Sequence, residues 1–246
     1  MCYHLNLTQA NVNFVKDNFP KQIRALEKCF PLIDSTIKQG MPQESISFGG
    51  GTALAIYYLG HRKSFDIDLF LNDIQYLNYL NPRLWLDDYD GFSNEYIEQQ
   101  SHIGFQTSDG IKIDILVRQN IGNNLLDDTN NIFSKAIHIS SIEDIIANKI
   151  VYRKNDNKTR DIFDIVASLQ KYPNLLKNLL DKEAITISDL SDLKNALNTI
   201  DMNIYNNEIA IVEPNEEFKQ LSFEAPQILI EKLDKILGQK SIRKMR

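Results

Sequence analysis

The chain has 246 residues, of which 43% are hydrophobic and 24% charged, enough for one large domain or two small ones with a proper core. Its 27 basic residues against 33 acidic ones give a net charge of −6, which argues against a general nucleic-acid coat but leaves room for local basic surfaces. No run approaches eighteen apolar residues, and the opening MCYHLNLTQANVNF lacks the basic start, apolar stretch and small-residue cleavage site of a leader, so neither a transmembrane helix nor a signal peptide is expected.

Cys2 and Cys29 match no metal spacing and suit a reducing cytoplasm, the expected location. Basic residues gather at 61–63, 153–160 and 240–246; such runs are read as solvated faces unless a site needs positive charge beside it.

In chain order, Thr8 caps a first helix that Pro20 ends. KQIRALEKCFPLIDSTIKQ then repeats apolar residues at helical spacing up to Gly40, with Pro31 expected to kink or divide it. A strand, SISF, precedes three glycines, the helix TALAIYYL and the strand FDIDLFL; Asn72 is the expected cap of a helix through Trp85, limited by Pro82. From about 95 to 118 the pattern is extended, with Asp109-Gly110 as a hairpin signal, and KAIHI closes this half. Ser140 and Ser141 then precede EDIIANKIVYR, with Glu143 and Asp144 at capping-box spacing. Helical segments follow: TRDIFDIVASLQ, PNLLKNLL, SDLSDLKNALN and PQILIEKLDKIL. The expected fold class is α+β, a mixed sheet with flanking helices over 1–139 followed by a helical domain over 140–246.

Side chains alternate along a strand, so Phe65, Ile67 and Leu69 face one way and Asp66 and Asp68 the other. Two carboxylates about 6 Å apart repel by roughly 2–3 kcal/mol at an effective dielectric of about 20. Water at an exposed edge relieves this, and a divalent cation converts it into shared coordination. In GIKIDILV the same alternation sets Lys112 and Asp114 opposite Ile111, Ile113 and Ile115. If the two strands are neighbours, three carboxylates converge, and they need metal ions or a retained proton. Apart from such pairing, a solvated strand face explains each aspartate as well.

Glycines at a strand end before a helix expose backbone N–H groups at a positive helix end, with no Cβ to block a phosphate. Thr52 adds a hydroxyl donor, although a structural turn explains the glycines equally well. No Gly-Lys-Ser/Thr ending makes this a P-loop, and the spacing is not that of a dinucleotide fingerprint. A phosphate-holding turn beside three carboxylates describes two-metal phosphoryl or nucleotidyl transfer.

The run GGTALAIYYLGHRKSFDIDLF resembles the opening motif of the AbiEii/AbiGii toxin family of nucleotidyltransferases, within the polymerase-β-like superfamily. EDIIANKIVYRKNDNKTRDIFD resembles that family's later motif, a lysine-bearing helix followed by a basic residue and D-x-x-D. The resemblance covers roughly 46–71, 110–118 and 143–169 and implies a polymerase-β-like nucleotidyltransferase sheet. It implies that Gly50, Gly51 and Thr52 hold nucleotide phosphates, that Asp66 and Asp68 bind metals, and that Asp114 completes one metal site and helps deprotonate the acceptor. Lys149 would reach the triphosphate and Asp161 would hold the base or position Lys149; Arg160, where the family often has lysine, and Asp164 complete the motif. Alone, Asp161 and Asp164 would read as an i,i+3 pair on an exposed helix face. Arg62 either contacts phosphate or fixes its loop by pairing with an acid, whereas His4, His102 and His138 read as satisfied core or surface histidines.

Taken whole, the resemblance implies a nucleoside triphosphate as substrate and two Mg²⁺ ions, with Mn²⁺ as the alternative. A nucleoside monophosphate would pass to an acceptor hydroxyl of RNA, such as a tRNA 3′ end, or of protein. The chain would be the toxin-like component of a toxin–antitoxin or phage-defence system, with a cognate antitoxin and no membrane partner. Two other readings stay open: a noncatalytic nucleotide-binding signalling module, against which three carboxylates weigh, and a small-molecule nucleotidyltransferase of the antibiotic-modifying type.

Overall fold

The structure is a computed structural model that describes residues 8–156 and 158–244. The expectations for Cys2 and His4, and for the side chains of the basic run 240–246, lie outside the described residues. Among the described residues the chain forms two compact units, 8–58 with Ser64–Ser141 and Leu59–Lys63 with 142–244.

In the first unit, α1 (Gln9–Asn18) begins at Thr8, whose hydroxyl accepts the Asn11 N–H. Helix α2 (Pro20–Lys38) continues through Pro31 instead of dividing there. A mid-helix proline costs about 3 kcal/mol. Leu26, Cys29, Phe30, Leu32 and Ile33 are buried on both sides of it, and each such side chain contributes about 1.5–3 kcal/mol, so packing outweighs the break. Burial pushes the Cys29 thiol up to about 12 against the opposing charge of Lys28, so it packs as a small apolar residue.

Seven strands form one mixed sheet: β1 (Ile46–Gly49), β2 (Ile67–Leu71), β3 (Phe92–Gln99), β4 (His102–Thr107), β5 (Lys112–Val117), β6 (Leu125–Asp127) and β7 (Ile137–Ile139), in the order β3-β4-β5-β2-β1-β7-β6. The β2/β5 and β1/β7 pairs are parallel and the others antiparallel. Ile67, Leu69, Ile113 and Ile115 are buried, whereas Phe65, ahead of the strand, is exposed, contrary to the alternation extended back to it. Between β1 and β2 the glycines open α3 (Gly50–Ala53), which winds on as a π-helix over Leu54–Leu59. Two consecutive tyrosines anchor that turn: Tyr57 donates to Asp127 Oδ2 at 2.7 Å and Tyr58 to the Ser140 carbonyl at 2.8 Å.

The helix expected from Asn72 to Trp85 is instead two 3₁₀ segments, Ile74–Leu80 and Pro82–Leu84, and Asp73 is the cap of the first. Pro82 holds Asn81 extended (φ −67°, ψ 124°), as the residue before a proline must be. The extended stretch up to 118 is three strands, with a further turn at Gln100 and Ser101.

The second unit is helical: α4 (Ile142–Arg153), α5 (Thr159–Lys171), α6 (Leu175–Asp181), α7 (Ile187–Leu197), α8 (Met202–Val212) and α9 (Lys219–Lys244). Asp201 caps α8, which the sequence reading passed over, by accepting the Asn203 and Ile204 N–H groups. Helix α9 runs through Pro226 instead of beginning there. Ile146, Ile150, Phe163, Leu190, Leu229 and Leu233 fill this unit's core. The Gly60–Lys63 segment is held in it by the Asn215 side chain on the Gly60 carbonyl and by Lys63 on Glu213 at 2.6 Å. No helix among the described residues is long and apolar enough to cross a membrane.

Candidate active site

Strand register brings the first group of candidate residues together. Gly49 pairs with Asp68, Asp68 with Asp114, and Asp114 with Gly104, forming one row across four strands. Neighbouring strands lie about 4.8 Å apart, so Asp68 and Asp114 share a face. The adjacent row, Phe48–Leu69–Ile115–Ile103, points the other way and is buried throughout. Asp66 precedes Ile67, whose partner is Ile113, so the same register sets Lys112 beside Asp66.

Asp114 is held from two sides. His102 Nε2 lies 2.7 Å from Oδ1 and Lys112 Nζ lies 2.8 Å from Oδ2. His102 pairs in register with Leu116, so it reaches Asp114 diagonally past Gly104. A Cβ on Gly104 would stand 3.0 Å from Oδ1 and 3.3 Å from His102 Nε2, so the glycine leaves that bond its room. The hydrogen bond to Asp114 leads the causes that raise the Lys112 pKa; burial opposes it, and the charges of Asp114, Asp66 and Asp68 add to it. The ammonium therefore stands within electrostatic reach of all three carboxylates. His102 is satisfied, as its sequence suggested, but by the central carboxylate of the site, which that reading missed.

The glycine turn lies against the same carboxylates. Gly50 adopts φ +66°, and a Cβ there would overlap the Asp68 carboxylate. Thr52 is buried; its hydroxyl bonds the Asp66 carbonyl and lies 2.8 Å from the Ser64 hydroxyl. That hydroxyl clamps the entrance to β2 instead of offering a free donor. The first N–H groups of the Gly50–Leu59 helical segment have no acceptor within the helix.

The later motif forms a buried ionic network in the second unit. Lys149 Nζ on α4 lies 2.5 Å from Asp161 Oδ1 and 2.9 Å from Asp164 Oδ2, both on α5. Arg153 Nη1 lies 3.3 Å from Asp161 Oδ2. Arg62 grips Asp164 with two nitrogens, at 2.6 and 2.8 Å, and His61 Nε2 meets it at 2.7 Å. Arg62 thus pairs with an acid, one of the two roles foreseen for it. Asp161 and Asp164 are 4% and 0% exposed, which rules out an exposed helix face, whereas Arg160 lies on the exposed side of α5. Burial pushes the Asp164 carboxyl up, but the Arg62 and Lys149 charges and the bonds from Arg62 and His61 hold it well below the usual range. Asp161 is lowered in the same way, against burial and Asp164, by Lys149 and then Arg153. Burial lowers His61 despite Asp164, so it is neutral at pH 7, donates from Nε2, and leaves Nδ1 buried without a hydrogen-bond partner among the described residues.

Other cations of the 153–160 run are also paired: Lys154 with Asp189 and Asp192, and Lys158 with Asp156.

As donors, Asp66, Asp68 and Asp114 suit a hard divalent cation, and the Lys112 ammonium among them shows a charge that already draws one. Both oxygens of Asp114 are engaged by Lys112 and His102. Among the described residues no group of three or more His, Cys, Asp or Glu side chains is arranged to hold a metal ion.

A family model described as nucleotidyl transferase AbiEii toxin, type IV toxin–antitoxin system, matches residues 41–237, a span that includes every candidate residue above. JHP933 from Helicobacter pylori is similar over 97% of this chain and 97% of its own, at 18% identity and a TM-score of 0.47. MenT4, a nucleotidyltransferase toxin from Mycobacterium tuberculosis, is similar over 91% of this chain and 99% of its own, at 14% identity and a TM-score of 0.44. A comparison with curated proteins finds no match.

Proposed function

Because the chain belongs to the nucleotidyl transferase AbiEii toxin family of type IV toxin–antitoxin systems, and is thereby a toxin-type nucleotidyltransferase, we propose that it moves a nucleoside monophosphate from an NTP to an acceptor hydroxyl. The acceptor oxygen bonds the α-phosphorus, the bond from that phosphorus to the β-bridging oxygen breaks, and pyrophosphate leaves. The observation that carries this reading is the row of Asp68 and Asp114 on parallel neighbouring strands, with the Gly50 turn packed against Asp68.

Asp66, Asp68 and Asp114 are the residues that would hold divalent metal, two Mg²⁺ ions or Mn²⁺. When bound, the metal supplies charge neutralisation to the triphosphate. The backbone N–H groups of Gly50, Gly51 and Thr52 receive phosphate oxygens, while the Thr52 hydroxyl fixes the Asp66 backbone. Asp114, oriented by His102, takes the proton of the acceptor hydroxyl. In the second unit Lys149 is a nucleotide contact positioned by Asp161, and Arg160 a further cationic one. Asp164, wholly buried, acts through Lys149 and Arg62 and not on the nucleotide itself.

The family brings an antitoxin partner and a nucleotide substrate; the acceptor is an RNA or protein hydroxyl, met in the cytoplasm. The test is incubation with each α-labelled NTP, Mg²⁺ and total cellular RNA and protein, comparing the parent with Asp66→Ala/Asp68→Ala. Label transferred by the parent alone supports nucleotidyl transfer and names the acceptor class. No transfer, with nucleotide binding retained, would favour the binding module or a small-molecule acceptor.

A further inference from the structure

Asp114 has two holders of different kinds. His102 sits on the neighbouring strand with its side chain 20% exposed, fitted over Gly104, and it engages Oδ1. Lys112 lies on Asp114's own strand with its side chain 51% exposed, and its ammonium engages Oδ2 from a flexible stem. The imidazole is the more enclosed of the two, whereas the ammonium borders solvent. A divalent cation entering among Asp66, Asp68 and Asp114 would meet a positive charge already resting on one of its ligands.

We propose that Lys112 is a built-in counter-cation that competes with the divalent metal for Asp114 Oδ2, while His102 keeps the carboxylate oriented through Oδ1. The inference rests on the proposed metal-holding role of the three aspartates. In the metal-free protein the ammonium offsets the charge of Asp114, and the charges of Asp66 and Asp68 add to its hold; a metal ion that takes Oδ2 must displace it, because both draw on the same lone pairs. The two holders therefore act in opposite directions on metal affinity.

The test reads binding, not turnover. Free Mn²⁺ is titrated by electron paramagnetic resonance against the parent, Lys112→Gln and His102→Ala, with Asp68→Asn as the site control. Separately, acetylation of the Lys112 amine in the parent is followed by mass spectrometry with and without saturating Mg²⁺. Loss of a half-exposed ion pair predicts Mn²⁺ binding on the order of five-fold tighter in Lys112→Gln, and weaker binding in His102→Ala. Saturating Mg²⁺ should speed acetylation of Lys112 several-fold and leave Lys28 unchanged, and Asp114→Asn should acetylate at the fast rate without Mg²⁺.

If the parent binds Mn²⁺ at the aspartates but Lys112→Gln binds it equally well, the competition is overturned and the metal site stands. Tighter binding with no change in Lys112 acetylation also overturns it, leaving only the general field of a lost charge. If neither parent nor Lys112→Gln binds Mn²⁺, the metal site itself fails, and the inference with it.

Discussion

Asp68 and Asp114 are register partners on two parallel strands, β2 and β5, that are not consecutive in the chain. The chain reaches this pairing by running out through β3 and back through β4, which lies antiparallel to β5. Two like charges held about 5 Å apart repel by about 3 kcal/mol at an effective dielectric of about 20. A fold that needed only a sheet would not place them there, and the pair reads as a site maintained against its own electrostatics.

That argument separates activity from stability. Asp68→Asn should lower nucleotidyl transfer by a hundredfold or more, roughly the effect of removing one electrostatic group from a reaction centre. It should shift the thermal midpoint little, because the repulsion from Asp114 and the attraction to Lys112 are lost together. A midpoint that falls with activity would show that Asp68 is structural.

Gly50 and Gly110 both take positive φ, +66° and +84°, but only Gly50 faces the Asp68 carboxylate; nothing lies within 4 Å of a Cβ on Gly110. Gly110→Ala should therefore cost about 1–2 kcal/mol of backbone strain and keep transfer activity. Gly50→Ala should displace Asp68 as well and cut transfer at least about tenfold, one misplaced contact being worth that or more. Equal activities in the two variants would detach the turn from the chemistry.

Asp164 is wholly buried between Arg62, Lys149 and His61. Asp164→Asn leaves two buried positive charges short of their partner and should destabilise the chain by about 3–5 kcal/mol. Arg160→Gln, at an exposed position, should stay within about 0.5 kcal/mol. Urea unfolding of both variants checks the contrast.

The same network sets a pH dependence. Folding lowers Asp161 and Asp164, while in the unfolded chain they titrate near 3.9. Their stabilisation is fully present above about pH 5 and is lost as pH falls through the folded values, where the unfolded chain holds more protons. His61 is lowered too, so its unfolded form takes up a proton first and stability begins to fall below about pH 6.5. The urea midpoint should drop from pH 7 to 5 and again to 3, and Asp164→Asn should flatten the acidic part. A midpoint constant from pH 7 to 3 would contradict this reading.

Much of the carboxylate face was legible because the period of a strand is two: in FDIDLF and GIKIDILV the buried isoleucines force the aspartates to the other side. His102 was not, because its place depends on hairpin register. Four residues, 108–111, separate β4 from β5; the Thr107 N–H donates to the Ile111 carbonyl at 2.9 Å, and this register sets Gly104 against Asp114. A two-residue loop at Asp109-Gly110 would have opposed Phe105 to Asp114, and the alternation of Ile103 and Phe105 already forbade that. The burial of Asp164 was hidden for another reason, since its partner Arg62 lies 102 positions away. Pro31 and Pro226 misled because tertiary packing outweighs local propensity, and α8 escaped because Ile204 and Ile211, both exposed, blur its apolar face.

The most direct measurement offers the purified chain one NTP labelled at either the α- or the γ-phosphorus, with Mg²⁺ and cellular RNA and protein. Nucleotidyl transfer at the three aspartates predicts that α-label moves to the acceptor, that γ-label leaves as pyrophosphate, and that Asp66→Ala/Asp68→Ala moves neither. γ-Label on the acceptor, or α-label transfer that survives the double substitution, would contradict it.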